Sequence, residues 1–366
     1  MRILYVLTSL GIGGAEKQVI DLAARMAARG HTVALLVLKH AGEEWPVKLP
    51  VLRLNIRKTP LGIYRGLRFA TKFAALFRPD LLHSHTFPAN LFTRLLKPML
   101  RADAHFPRVI NTIHNVDEGG WHRMFLYRAT DARVDQVTAV SSAAADRFVR
   151  LHAVSAGKMR VLTNGIDTEA FTPNRARRKQ ARIEMQAGGS FVWLAVGRLA
   201  PAKDYPNLLR AFAQVRSVNP KTSLWIAGEG DSAYLHHAMQ EKSEVQLLGL
   251  RPDIAELLDA ADGFVLSSAW EGMPLALAEA MAMEKPVVAT DVGGVRELVG
   301  EAGFVIPPHD SNALAQAMLK AMQLTEKARK EIGRDARNRV QLHFSMNEKA
   351  GQWEQLYTQV TSEKNV

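Results

Sequence analysis

The chain contains no cysteine. That excludes a disulfide framework, a thiolate metal site and a cysteine nucleophile, and it fits a reducing compartment. No apolar run is long enough to cross a membrane as a helix. The first ten residues, MRILYVLTSL, are apolar but run into a glycine-rich turn rather than a small-residue cleavage site. They read as a first strand, not a signal peptide, and the expected location is the cytoplasm. Short-period repeats and low-complexity segments are also missing. Acids are scarce where bases gather: from Arg53 to Arg101 there are ten Lys or Arg residues and one acid, Asp80.

What is present is an ordinary globular composition, 47% hydrophobic and 23% charged, over 366 residues. That length suggests about two domains. The formal net charge of +11 creates a positive field that attracts nucleic acid, anionic lipid or phosphorylated small molecules. In the basic stretch the cations are interleaved with Leu61, Ile63, Tyr64, Leu67, Phe69, Phe73, Leu76 and Phe77. A helix of that mixture can bury one side and offer the other to anionic headgroups; a solvated basic face is the alternative.

Strand and helix patterns alternate nearly throughout. Residues 3–7 form an apolar run, and residues 15–29 have helical period with Val19, Ile20, Leu22, Ala23 and Met26 on one face and Gly30 at the C′ position. Further strands are expected at 31–38, 81–84, 109–113, 136–140 and 159–162. Near-continuous apolar runs of this kind suggest parallel strands covered on both faces. Residues 174–189 break the rhythm with Arg175, Arg177, Arg178, Lys179 and Arg182 and are placed as the linker region. A second α/β run follows, with strands at 192–196, 223–227, 245–248, 263–266, 286–290 and 303–306. Its helices are expected at 207–218, 233–242, 253–260 and 274–283, and residues 313–357 are helical and charged. The expected fold is α/β, two doubly wound Rossmann-like domains facing across a cleft, with ligands outside the carboxyl ends of the strands.

Five groups of residues carry chemistry. In Leu10-Gly11-Ile12-Gly13-Gly14-Ala15-Glu16 a glycine turn opens a helix, where backbone amides can approach a phosphate; a plain tight turn is the alternative. A dinucleotide fingerprint would need glycine at Glu16 and an acid where Lys39 and His40 stand. Arg198 and Lys203 lie in one strand-to-helix loop and could clamp a diphosphate, or be solvated loop cations. Gly228-Glu229-Gly230 marks the same sheet edge. Glu271 and Glu279 flank a helix start, with Pro274 at the first helical position and the amides of Met273 and Leu275 pointing outward. The plain reading is a dipole-complementing acid and a surface acid. His83, His85 and His114 end strands without metal-ligand spacing, and His114 could donate to a sugar hydroxyl.

Taken together these residues resemble the retaining, GT-B-fold glycosyltransferases of family 4, across essentially the whole chain. The strongest match is the paired-glutamate motif Glu271-x7-Glu279. Supporting matches are Gly13-Gly14-Ala15-Glu16, His114, Asn164-Gly165-Ile166-Asp167, Val196-Gly197-Arg198-Leu199 with Lys203, Gly228-Glu229-Gly230, Leu248-Gly249, and Gly293-Gly294 before Glu297. The resemblance implies that Arg198 and Lys203 bind the donor diphosphate and that Glu279 holds the ribose hydroxyls. It implies that Glu271, with the segment Gly272, Met273, Pro274 and Leu275 and the N–H groups of its non-proline residues, holds the donor sugar. His114 would contact that sugar near the reacting carbon, and Gly13 and Gly14 would line the phosphate and acceptor side. Glu229 belongs to the donor side, and the base would sit near Gly249, Leu250 and Arg251.

The implied activity moves a hexose or N-acetylhexosamine from a nucleotide-diphosphate sugar, UDP-linked in preference and GDP-linked as the alternative, to a glycan or lipid-linked acceptor with retention. It implies no metal or cofactor and no nucleic-acid partner. An anionic membrane surface is a further partner through Arg53 to Arg101, with peripheral attachment to the inner face. The implied setting is bacterial surface polysaccharide or glycolipid synthesis. The implied domains are 1–168 (acceptor side), 169–345 (donor side) and a C-terminal helix in 346–366 crossing back to the first. An epimerase of the same fold, or a non-catalytic anionic glycan- or lipid-binding protein, are the alternatives.

Overall fold

The computed structural model describes residues 1–100, 106–231, 235 and 244–362. The chain divides into two compact units, Met1–Gly165 with Met346–Val366, and Ile166–Ser345.

The first unit is built on a seven-stranded parallel sheet. In chain order its strands are β1 (Arg2–Leu7), β2 (Thr32–Val37), β3 (Val51–Arg53), β4 (Leu81–His85), β5 (Arg108–Ile113), β6 (Gln136–Ala139) and β7 (Met159–Val161), and their spatial order is β3-β2-β1-β4-β5-β6-β7. The helices are α1 (Gly14–Ala28), α2 (Pro60–Phe77), α3 (Phe87–Leu96), α4 (Trp121–Ala129) and α5 (Ser142–Arg150). Both faces of β1 are buried, which is why its sequence does not alternate. Leu4 and Val6 enter the core under α2 to α5, while Ile3, Tyr5 and Leu7 enter the core under α1. Helix boundaries follow local chemistry. Thr59 caps α2 by accepting from Gly62 N–H, with Pro60 next, and Ser141 caps α5. After α1, Gly30 at φ +87° donates to Ala27 O and His31 donates to Met26 O, a Schellman turn with glycine at C′.

The second unit carries a six-stranded parallel sheet of β8 (Phe191–Val196), β9 (Thr222–Ala227), β10 (Val245–Gly249), β11 (Gly263–Leu266), β12 (Val287–Thr290) and β13 (Phe304–Ile306), in the order β10-β9-β8-β11-β12-β13. Its described helices of seven or more residues are α6 (Arg175–Glu184), α7 (Tyr205–Val218), α8 (Ile254–Ala260), α9 (Leu275–Ala282), then, beyond the five-residue α10 (Val295–Val299), α11 (Ser311–Gln323) and α12 (Glu326–His343). The expected helix at 233–242 lies outside the described residues, Leu235 apart. The final helix, α13 (Met346–Ser362), belongs to the first unit. Its Ala350, Trp353, Leu356, Tyr357 and Val360 fill the core beside α1.

Two sequence expectations are corrected. Residues 174–189 are not a linker: most of them form α6, capped by Asn174. Its cations are tied down: Arg177 pairs with Asp259, and Arg178 donates to the carbonyls of Asp259 and Ala261 at 2.6 and 2.7 Å and to Asp262. Arg182 reaches Ala260 O and Asp262. They satisfy the carbonyl end of α8, where cations complement the dipole. Nor is Arg53 to Arg101 one basic surface. Arg94 and Lys97 are buried, Arg94 on Asn111, Tyr127 and Thr130 and Lys97 on Asp135. Exposed cations with exposed apolar neighbours remain on and just before α2: Arg57, Lys58, Arg65, Arg68 and Lys72 with Leu61, Ile63, Tyr64, Phe69 and Leu76.

The buried ring of Trp353 packs against His83 at 4.6 Å and against Tyr357. Trp353→Ala is expected to cost about 3–5 kcal/mol, the usual range for emptying such a site. Chemical denaturation would measure it, and a loss below about 1 kcal/mol would show that α13 is not part of this core.

Candidate active site

In a parallel sheet every strand delivers its following loop to the same edge. At that edge of the second unit, the loop after β8 passes through Gly197 and Arg198 and makes one 3-10 turn, Pro201–Lys203, before α7. Lys203 Nζ lies 2.6 Å from Glu271 Oε1 in the loop after β11. Ser268 Oγ donates to the same oxygen at 2.6 Å. The two loops are joined again by Ser267 Oγ donating to Lys203 O (2.7 Å) and Ala269 N–H donating to Ala202 O (2.8 Å). Lys203 and Glu271 are only 18% and 12% exposed, so each charge depends on the other for compensation.

Two glycines make this approach possible. Gly197 has φ +157°, and a Cβ there would stand 2.5 Å from Lys203 Cε. Gly293, at φ +56°, lies so close to the carbonyl of Glu271 that a Cβ would overlap it, and Gly294 N–H donates to Gly272 O at 2.7 Å. Tyr205, unnoticed in the sequence, buries its ring and donates from its hydroxyl to Gly197 O at 2.9 Å.

Arg198 is exposed and makes no ion pair among the described residues. Its neighbour Leu199 is held by Glu229 O at 2.8 Å, while the Glu229 side chain is exposed. Gly249 closes β10 and accepts from Gly228 N–H at 2.7 Å; Leu250 is half-buried. The Arg251 guanidinium forks onto Asp253 (Nε–Oδ1 2.7 Å) and holds that carboxyl below its usual range. The side chain of Arg251 is thus engaged within its own loop.

The helix start needs a correction of one residue. α9 begins at Leu275, so Pro274 is its N-cap (φ −74°, ψ 112°), not its first helical position. Pro274 O accepts from Ala278 N–H, and the amides without an intrahelical partner are those of Leu275, Ala276 and Leu277. Met273 lies outside the helix and its side chain is buried, as are Gly272 and Pro274. Glu279 is half-buried on an otherwise apolar helix. Cations, an acid pair and free helix-start amides therefore belong to one sheet edge, a combination suited to an anion that also carries hydroxyl groups.

In the first unit, Gly13 is the N-cap of α1 and Gly14 its first residue. Glu16 folds back over this helix start: its Oε2 stands 2.5 Å from where a Gly13 Cβ would be. His114 follows β5, half-buried. Its Nε2 meets His85 Nδ1 at 2.9 Å, and its N–H donates to Glu118 Oε1 at 3.2 Å. His83 is structural, bound by Tyr357 OH and Thr112 Oγ1 at 2.7 Å each. Burial lowers the pKa of His114 to about 4 and holds His83 and His85 well below the usual histidine range. Glu118 had no sequence signal beyond its place four residues after His114. Its Oε2 accepts from Tyr127 OH at 2.7 Å, and burial pushes it up to about 7 against the opposing pull of those bonds and of Arg123 and Arg94.

Glu118 retains its proton in the folded chain over a range where the unfolded carboxyl has lost it. Its contribution to stability is full below pH 4.5 and is lost as pH rises through about 7. Relative to Glu118→Gln, the native chain should lose about 3 kcal/mol of stability across that window. The buried histidines act with opposite sign, costing stability as pH falls below 6.5. Urea unfolding of both chains at a series of pH values isolates Glu118, and parallel curves would refute its shift.

Residues 12–170 match the family described as Glycosyltransferase Family 4, and residues 190–323 match Glycosyl transferases group 1. The Escherichia coli UDP-Gal:alpha-D-GlcNAc-diphosphoundecaprenol alpha-1,3-galactosyltransferase is 26% identical over 78% of this chain and 76% of its own length. The putative glycosyltransferase EpsD of Bacillus subtilis is 28% identical over 84% of this chain and 85% of its own. Among solved structures, HepE of Anabaena in complex with UDP has a TM-score of 0.85 at 23% identity, covering 98% of this chain and all of HepE; a second structure of it holds UDP-glucose. With both sheet edges assembled as described, the chain belongs to the group 1, family 4 glycosyltransferases of GT-B fold.

Proposed function

We propose that the chain transfers a hexose or N-acetylhexosamine from a UDP-sugar to a lipid-linked or glycan acceptor, with retention of configuration, in surface polysaccharide or glycolipid synthesis. The observation that carries this reading is the Lys203–Glu271–Ser268 cluster beside the exposed Arg198. HepE holding UDP and UDP-glucose, and a relative named for UDP-Gal and a diphosphoundecaprenol acceptor, support the donor and acceptor classes.

In this reading Arg198 and Lys203 bind the diphosphate and stabilise the charge that builds as it departs. Glu271 and the N–H groups of Gly272, Met273 and Leu275 hold the transferred sugar, Glu279 the ribose hydroxyls, and His114 gives a further hydrogen bond to the sugar. Gly13 and Gly14 line the phosphate and acceptor side, and Glu229 lies on the donor side. The base rests on the backbone from Gly249 to Arg251, since the Arg251 side chain is taken by Asp253. As the bond from the anomeric carbon to the diphosphate oxygen breaks, the acceptor hydroxyl attacks on the same face and its proton passes to that phosphate oxygen. Fixed cations supply the charge, so this chemistry needs no resident metal or cofactor. The epimerase and non-catalytic alternatives are less suited, because the named relatives are glycosyltransferases.

UDP at 100 times its dissociation constant should stabilise the fold by about 2.7 kcal/mol, and GDP or ADP by much less. Lys203→Ala should lower turnover about 10²–10³-fold and weaken the UDP effect, and it should also lower thermal stability because Glu271 loses its compensating cation, whereas Lys203→Arg should keep most of that stability. Full activity in Lys203→Ala, or an equal response to GDP, would reject the site or the base. Product appearing without any acceptor would favour the epimerase.

The exposed basic and apolar mixture on α2 supports a cytoplasmic, peripheral reading in which the chain rests on an anionic bilayer rather than on nucleic acid. Vesicles rich in phosphatidylglycerol should carry the chain upward in flotation at low salt. Arg65→Glu with Arg68→Glu should abolish this while leaving turnover of a soluble acceptor intact. Equal flotation with neutral phosphatidylcholine vesicles would dismiss membrane attraction.

A further inference from the structure

The pair His85–His114 determines which ring atom of His114 can meet a ligand. His114 Nε2 is occupied by His85 Nδ1 at 2.9 Å, the rings standing 5.2 Å apart. Its backbone N–H is held by Glu118, so the residue is anchored at two points. His114 Nδ1 makes no hydrogen bond among the described residues and is not one of the buried unpartnered atoms. His85, by contrast, is 3% exposed, and its Nε2 is sealed from solvent without a partner.

A hydrogen bond between two neutral imidazoles contains one proton, and two arrangements are open. If His114 donates from Nε2, then His85 accepts at Nδ1 and must carry its own proton on the sealed Nε2, an N–H buried without an acceptor. If His85 donates from Nδ1, its sealed Nε2 is a bare lone pair, and His114 carries its proton on Nδ1. Orphaned buried N–H groups are the rarer of the two defects. We infer that His85 is a positioning residue that donates to His114 Nε2 and so fixes His114 as an Nδ1–H donor, presented to an acceptor oxygen of the transferred sugar. The second nitrogen of a histidine is set by the bond the first one makes, and here the first is taken inside the protein. The inference rests on the glycosyl-transfer reading only for the identity of the oxygen.

The tautomer can be read without turnover. In a chain labelled with ¹⁵N-histidine, the His114 signals, identified by their loss in His114→Asn, should show Nδ1 protonated and Nε2 bare near neutral pH. Free histidine favours the opposite form, so the result is diagnostic. His85→Phe should return His114 to Nε2–H and lower kcat about 10-fold or more with little change in the KM for donor. His85→Asn, whose amide N–H can stand where Nδ1–H stood, should restore the Nδ1–H signature and most of the rate. A native His114 protonated on Nε2 overturns the inference even in a fully active enzyme. An inactive chain with the Nδ1–H signature would instead count against the transfer reading alone.

Discussion

Lys203 and Glu271 stand 68 positions apart in the chain and 2.6 Å apart in space, and the carboxyl edge of the second sheet is arranged around them. Neither charge is exposed enough for water to stabilise it fully, so each would be costly without the other. The bonds from Ser267 Oγ and Ala269 N–H to the Lys203 loop hold the two strand ends in register for that contact. Gly197 leaves room for the lysine stem and Gly293 for the Glu271 carbonyl. The glycines that read as motif punctuation in the chain thus serve one ion pair. In the proposed reading a diphosphate at this edge would meet Arg198, which makes no ion pair among the described residues, and Lys203 already oriented by an acid, a preorganised arrangement rather than one assembled on binding.

The first sheet edge is organised by the opposite means. Its ionisable groups are pushed toward their neutral forms, three histidines below their usual range and Glu118 up to about 7, all chiefly by burial. Beneath them lies Arg94, wholly buried, its guanidinium lowered only to about 10 and therefore still charged near neutral pH. Its Nε and Nη1 are held by Asn111 and Tyr127 O and it lies 4.8 Å from the Tyr127 ring centre, while its Nη2 is buried without a hydrogen-bond partner among the described residues; Tyr127 in turn donates to Glu118. Such a network rigidifies when its members are paired and is costly where they are not. Among the described residues, His85 Nε2 is the one histidine ring atom left sealed and unpartnered, and this constrains where its proton sits.

The strands were legible because parallel sheets covered on both faces read as unbroken apolar runs. The strand at 263–266 matches in full, and the other expected strands shift by one residue at their ends. β3 was not, since three half-buried or exposed residues carry no period. Residues 174–189 misled because five cations in a short span look solvated, while their partners Asp259 and Asp262 lie about 80 positions on. Of the site, the acid pair and the Arg198–Lys203 loop were legible by spacing; Ser268, Tyr205, Glu118 and the His85 contact were not, because each acts through a neighbour distant in sequence or through burial.

Residue order along the chain is enough to set the two parallel α/β units, the glycine turns at strand ends and the types of group available at each edge. Hydrophobic runs and turn chemistry are local properties, and local properties are written in order along the chain. Folding in three dimensions sets that Lys203 pairs with Glu271, that Arg251 is taken by Asp253 while Arg198 makes no ion pair among the described residues, and that His114 has one ring nitrogen already bound. Pairing and desolvation depend on which atoms lie within about 3 Å and on how much water is removed, and neither quantity has a sequence spacing.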